Sequence, residues 1–409
     1  MTSSQRRIPI AEYTVGWICA LPIEMAASIA LLDELYIPPP QPPHDQNSYS
    51  FGRIGQHNVV LVCLPAGVTG ATSAATVAAQ FRSTFPSVQY GLLVGVGGGA
   101  PSAKNDIRLG DVVVSKPTGI FGGVVQYDFG KTIEKGAFKQ TGSLNKPPRV
   151  LLSALASLET KCHLEGNKLT SDSLVIPDTY SELRSTAKYP GTEHDQLHKT
   201  ECHHRKDPET CEVCDEPQYV DRPPRPHGDP VIHFGLIASA NRVMRHGITW
   251  EKLRKELDVL CFEMEAAGLM DNFPCLVIRG ISNYADVHKT KQWQPYAAVT
   301  AAACAKQILL LTPVILEEKV VVTADDTAQS TAWLSAFNGS SFQSMRNHRF
   351  SGRDTELALL DSCGLMPLSF GSLQGHGRSL YQNTRNTLDD TENSPKLTRL
   401  PGHSWRPMM

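Results

Sequence analysis

Strand-length apolar runs alternate with helix-patterned segments from about residue 10 to residue 315. That alternation leaves one economical solution, an α/β sheet covered by helices on both faces. Tyr13 to Ala20 reads as a strand, and Pro22 opens a helix that the pattern carries from Ile23 to Leu35. Tyr49 to Leu64 holds two β-rich stretches broken by Gly52 and Gly55, a hairpin pattern. Gly70 to Phe85 is a small-residue helix, and Gly91 to Val96 a buried strand running into Gly97, Gly98 and Gly99. Asp111 to Ser115 predicts a strand, Pro148 to Lys161 an amphipathic helix, and Val231 to Ala238 a further strand. Trp250 to Leu257 is helical in pattern, and Val259 to Phe262 leads into a helix expected from Met264 to Asn272. Pro274 to Ile281 completes the strands, and Gln292 to Leu311 is a long Ala-rich helix.

Two regions break this order. Residues 163 to 229 are rich in His, Asp, Glu, Pro and Lys and read as a surface insertion. Residues 316 to 409 carry Ser, Asn, Thr, Arg and Gly with short apolar runs, a composition too polar to bury a core by itself. The expected division is therefore a domain over 10–315 and a disordered tail.

Composition bounds the partners. Lys plus Arg is 39 and Asp plus Glu is 41, giving a net charge of -2 and no general footprint for nucleic acid or an anionic membrane. No apolar run reaches membrane-spanning length, and the opening MTSSQRRIPI has no apolar core of the secretory kind. Cys19, Cys63, Cys261, Cys275 and Cys304 lie inside apolar runs as buried thiols would, which suits a reducing, intracellular, cytoplasmic setting. Cys202, His204, Cys211 and Cys214 of the insertion are weak zinc candidates, because their spacing matches no standard finger.

Ligands of open α/β sheets gather at the carboxyl ends of strands. Four such ends are chemically distinctive here. The first is ALPIE, which puts Glu24 just inside a helix; the second is VGVGGGAP, where Gly97 and Gly98 let backbone approach a ligand. The third, CFEMEAAG, offers Glu263 and Glu265, and the fourth, IRGISNYAD, offers Ser282, Asn283 and Asp286. Taken singly, each reads equally well as a turn or a dipole-compensating charge. Their joint order is the informative feature. The Gly-rich piece fits neither a P-loop nor the full dinucleotide fingerprint.

In that order, GWICALPIEMAA, LPAGVTGATSAA, LLVGVGGGAP, DIRLGDVVVS, HFGLIASANRVM, CFEMEAAGLMD and IRGISNYAD resemble the nucleoside phosphorylase and nucleosidase superfamily. The likeness runs over about residues 10 to 312 and is nearest the methylthioadenosine/adenosylhomocysteine nucleosidase branch, in the fungal form fused to NOD-like receptor and ankyrin-repeat proteins. The tail segment HRFSGRDTELALLD is similar to the lead-in to a receptor nucleotide-binding domain. The resemblance implies a three-layer α/β/α sandwich around a mixed, partly closed central sheet. It implies that Glu265 binds ribose hydroxyls above Met264, that Glu24 takes a proton from attacking water, and that Ser239 to Asn241 lies beside the base. It implies a purine nucleoside or nucleotide as ligand, no cofactor, and leaves room for a homo-oligomer.

An ionised Glu24 would repel a phosphate nucleophile, and the phosphorylase arginine pattern is not evident in the first strand-end loop, so water is the expected nucleophile. A phosphorylase reading would add phosphate as co-substrate. One departure matters. The nucleosidase branch has Asp where this chain has Asn283, and an amide donates a hydrogen bond without giving up a proton. Three readings follow: selection of 6-oxopurines, an acid supplied by Asp286, or a catalytically degenerate purine-sensing domain.

Overall fold

The computed structural model describes residues 6–132, 138–166, 169, 174–200, 219–225 and 228–314. They belong to a compact unit bounded by Leu316, and 317–409, with the receptor-like tail segment, lie outside the described residues. The expected zinc candidates Cys202, His204, Cys211 and Cys214 lie outside them too.

Strands and helices alternate as the apolar pattern requires. In chain order they are β1 (Val15–Cys19), α1 (Pro22–Ala30), β2 (Glu34–Leu35), β3 (Tyr49–Ile54), β4 (His57–Cys63), α2 (Ala71–Thr84), β5 (Tyr90–Gly99), β6 (Val112–Ser115), β7 (Val124–Gln126), β8 (Gly130–Thr132) and β9 (Phe138–Gln140). After these come α3 (Arg149–Glu165), α4 (Ser181–Thr186), β10 (Ile232–Ser239), α5 (Gly247–Leu257), β11 (Val259–Glu263), β12 (Cys275–Asn283) and α6 (Gln294–Leu311). The main sheet has 10 strands, and its path runs β11-β10-β6-β12-β5-β1-β4-β3-β2. Pairing is mixed: β1 lies parallel to β4 and β5, whereas β12 runs antiparallel to β6. An additional antiparallel pairing of β11 with β5 joins the ends of the path β5-β12-β6-β10-β11, so these strands close into a barrel and the rest extend as an open wing.

Two apolar layers flank the sheet. On one side Trp17, Leu92 and Ile278 pack under α1, α3 and α6; on the other Ile18, Leu93 and Val277 pack under α2 and the segment from Ala266 to Phe273. Alternate residues of one strand thus feed opposite cores, as the two-residue period of a strand requires. The architecture is a three-layer α/β/α sandwich around a mixed, partly closed sheet.

Helix α6 lies close on β12 because Gly280 has no side chain. A Cβ at Gly280 would sit 1.8 Å from the Ala297 carbonyl oxygen, while one at Gly228 would meet nothing within 4 Å. Gly280→Ala is therefore expected to lower the urea midpoint by an amount equivalent to about 1–3 kcal/mol, with Gly228→Ala near wild type. Equal midpoints for the two variants would contradict this packing.

Three sequence expectations are revised. The α1 pattern stops at Ala30, and Glu34–Leu35 form an edge strand against β3. The glycines after Val96 form no turn: β5 continues through Gly99, where Gly98 pairs with Phe262 and Gly99 with Cys261. A Cβ at Gly98 would come within 2.9 Å of both Ala285 and Asn283, so crowding by the chain at the end of β12 explains a glycine there. The helix expected from Met264 to Asn272 shrinks to a single 3-10 turn, Ala266–Gly268. The Glu263 carboxylate captures the Glu265 and Ala266 N–H groups, and Gly268 presses on the Ala71 carbonyl.

The insertion is docked in its described parts. Leu169, Ile176 and Ala187 join the core, and Arg225 forms a 2.6 Å ion pair with buried Asp111. Among the described residues no helix is long and apolar enough to cross a membrane.

Candidate active site

The carboxyl ends of β1, β5, β11 and β12 converge on a cavity of about 930 Å³. Glu24, Gly97, Gly98, Glu263, Met264, Glu265, Ser282 and Asn283 all line it. Strand ends from both halves of the domain thus meet at one place: β5, β11 and β12 through the barrel closure and β1 through its pairing with β5.

Glu24 is held from three directions. Its carboxylate accepts hydrogen bonds from the backbone N–H of Ala20 (2.8 Å), Leu21 (2.9 Å) and Val96 (2.8 Å). Pro22 starts α1 and places Glu24 in its first turn, where the N-terminal N–H groups have no helical partner. A Cβ on Gly95 would lie 2.5 Å from this carboxylate, so Gly95 makes the room it occupies. Burial pushes the Glu24 pKa up against the lowering influence of Arg279 and of these amides.

Glu265 accepts from the Gly70 N–H at 3.1 Å and faces the Arg279 guanidinium at 3.3 Å. Gly70 has φ +97°, and a Cβ there would lie 2.2 Å from the Asn241 side-chain oxygen, so this turn requires glycine twice over. Burial pushes the Glu265 carboxyl up to about 7, with Arg279 opposing and the neighbouring Glu263 and Glu24 assisting.

Arg279 is the residue that sequence reasoning missed. It is 1% exposed, ion-paired with Glu263 and Glu265, and close enough to Glu24 to affect its titration. These carboxylates raise its pKa above the ordinary arginine value, so it stays charged. The signal was present: an arginine inside the otherwise apolar strand PCLVIRGI needs a buried counter-charge. Glu263 faces the cavity, yet its oxygens are already engaged by Arg279 and the backbone, which suits it to hold Glu265 and Met264 in place.

Asn283 has a fixed amide. Its oxygen accepts from the Ala285 N–H at 3.0 Å and its nitrogen donates to Ser282 Oγ at 3.0 Å. Ala285 takes φ +59°, which turns the chain sharply after β12. Asp286 does not join the cavity lining; it faces His288 at 3.5 Å instead. Ser239 and Asn241 also fall outside the lining. Ser239 is buried and accepts from the Ala267 N–H, and the Asn241 N–H donates to Asp128. The neighbouring wall is formed by the next residues, Arg242 to Arg245.

That wall is cationic. Arg242 and Arg245 from the loop after β10 meet Lys289 and Lys291 from the loop after β12 on the cavity lining. Burial and Arg245 lower the Lys289 pKa to about 8, with Asp286 opposing. No sequence pattern announced this group, since its members come from two loops far apart in the chain.

No family model matches the chain. A curated relative, a nucleotide-binding leucine-rich repeat (NLR)-like protein of Hyaloscypha variabilis, is 43% identical over 325 residues, covering 78% of this chain and 32% of that protein. The chain therefore spans about a third of that relative's length. Among solved structures it is similar to futalosine hydrolase of Helicobacter pylori, at 15% identity and a TM-score of 0.46, over 73% of this chain and 97% of that one. It is also similar to the 5'-methylthioadenosine/S-adenosylhomocysteine nucleosidase of Neisseria meningitidis, at 17% identity and a TM-score of 0.46, over 72% of this chain and 98% of that one.

Proposed function

We propose that this chain cleaves the N-glycosidic bond of a purine nucleoside or nucleotide by hydrolysis. The observation that carries the reading is that Glu24 and Glu265, each buried and each fixed by backbone N–H groups, share one cavity with Asn283. Bond cleavage builds positive charge on the ribose. The Glu265 carboxylate accepts hydrogen bonds from ribose hydroxyls and favours that charge as it develops. Glu24 removes a proton from water as its oxygen bonds to C1', and the C1'–N9 electron pair leaves with the purine. Asn283 donates a hydrogen bond to the departing base but keeps its protons, so the base is better served if it is a 6-oxopurine.

The cationic wall supports an anionic 5'-substituent, which favours a nucleotide over a bare nucleoside. The same cations could receive inorganic phosphate, and phosphorolysis is the second reading. Base release from a panel of adenine and hypoxanthine nucleosides and 5'-nucleotides, with and without phosphate, separates them. Release that needs no phosphate supports hydrolysis; release only with phosphate, yielding ribose 1-phosphate from a nucleoside or ribose 1,5-bisphosphate from a 5'-nucleotide, overturns it. A purine-sensing module of an NLR-like protein is the remaining reading, favoured by Asn283, and it expects binding without release.

The pH dependence has a definite sign. Glu265 must be ionised to accept from ribose, and its raised pKa means that kcat/KM rises as pH passes through about 7. Lys289 loses its charge above about 8, so kcat/KM for a 5'-nucleotide should fall again there, while that for the corresponding nucleoside should not. Identical profiles for the two substrates would remove Lys289 from phosphate binding.

A further inference from the structure

We propose that His198, Asp286 and His288 form a binding site for a divalent transition-metal ion of the zinc type, outside the cavity and joining the insertion to the loop after β12. His198 comes from the insertion and Asp286 and His288 from the loop after β12, and their donor atoms all lie within 4.8 Å of one another. All are buried, at 7%, 8% and 8% exposure. His288 Nδ1 lies 3.5 Å from Asp286 Oδ2, and the His198 and His288 rings stack at 3.6 Å with their planes 9° apart. Donors in a tetrahedral zinc site sit about 3.3 Å apart, given zinc–nitrogen bonds of about 2.0–2.1 Å. To direct both ring nitrogens at one ion the stacked imidazoles must splay apart, with Asp286 Oδ2 as the third donor and water completing the coordination.

The donor types choose the metal. Two imidazoles and one carboxylate suit zinc, cobalt, nickel or iron(II), whereas magnesium and calcium prefer oxygen ligands. Asp286 also faces the Lys289 ammonium, so an ion held mainly by charge is at a disadvantage here and one bound strongly by imidazole is not. The His288 N–H donates to Asp286 Oδ1 at 2.9 Å, which fixes the carboxylate and leaves Oδ2 turned toward the rings.

The position gives the ion a task. His198 forms a β-bridge with Tyr219, and the Val220 N–H donates to the Leu197 carbonyl at 2.8 Å, so the two ends of the intervening segment meet at this point. Lys289, Thr290 and Lys291, immediately after His288, line the cavity. An ion on these ligands ties the insertion to the cationic wall. The inference stands apart from the glycosidic reading, since none of its ligands lines the cavity.

The test uses the full chain, stripped with a chelator and titrated with cobalt(II) under visible absorption and with zinc(II) under thermal denaturation. The expected result is one bound equivalent with ligand-field bands and a raised Tm. His198→Asn, His288→Gln and Asp286→Asn should each weaken binding at least about tenfold. Asp286→Asn keeps an oxygen for the His288 N–H, so it guards against loss of fold as the cause. A Cys202→Ser/Cys211→Ser/Cys214→Ser variant should bind as wild type does. No saturable binding by wild type overturns the proposal, and so does binding that survives the three ligand substitutions and vanishes with the cysteines.

Discussion

Arg279→Met is expected to destabilise the domain by about 3–5 kcal/mol, the cost of leaving buried carboxylates without their counter-charge. The guanidinium is the charge that allows Glu263 and Glu265 to be buried together, and it also lowers the pKa of Glu24. Methionine fills the volume, so the loss measures electrostatics rather than a cavity. Without Arg279 the pKa values of Glu24 and Glu265 rise further. Groups with raised folded pKa values contribute stability that is lost as pH increases through those values. The deficit should therefore be larger at pH 8 than at pH 5.5, read as urea midpoints at both pH values. Arg279→Lys keeps the charge but not the forked reach and should fall between the two. A pH-independent loss would mean that packing, not charge, explains why an arginine sits in β12.

Asn283→Asp is expected to raise adenine release by about 10²- to 10⁴-fold, the usual worth of a positioned general acid. The surroundings accept the change. An aspartate oxygen can still receive the Ala285 N–H, and the Ser282 hydroxyl, which now accepts from Asn283, can turn to donate. Asp286 offers no substitute, because it points to His288 rather than lining the cavity. Hypoxanthine release should change much less, since a 6-oxopurine leaves with less need of a proton. Adenine release already as fast in wild type as in the variant would show that the acid comes from elsewhere.

The alternation of apolar runs carried most of the fold. Strand and helix periods were readable wherever a strand was buried on both faces, as in GLLVGV and PCLVIRGI. Barrel closure was not readable from periodicity, because it depends on the long-range pairing of Gly98 with Phe262 and Gly99 with Cys261. The FEMEAAG helix was over-extended: only the turn Ala266–Gly268 forms, where Gly268 packs tightly against the Ala71 backbone, a long-range contact that no local pattern announces. At the site, residues fixed to strand ends were legible: Glu24, Glu265 and Asn283 share the cavity. Residues on loops were not. Ser239 and Asn241 support neighbouring backbone, and the wall falls to Arg242 and Arg245, since loop geometry beyond a strand end follows no period.

The catalytic reading turns most directly on purine release by the full chain, followed chromatographically for wild type, Glu265→Ala and Asn283→Asp beside calorimetric binding of the same purine nucleotides. The account predicts release by wild type, its loss in Glu265→Ala through removal of contacts that strengthen as charge develops on the ribose, and faster adenine release in Asn283→Asp. Ligand binding by wild type and Asn283→Asp with no base released by either would contradict it and leave the cavity a purine sensor.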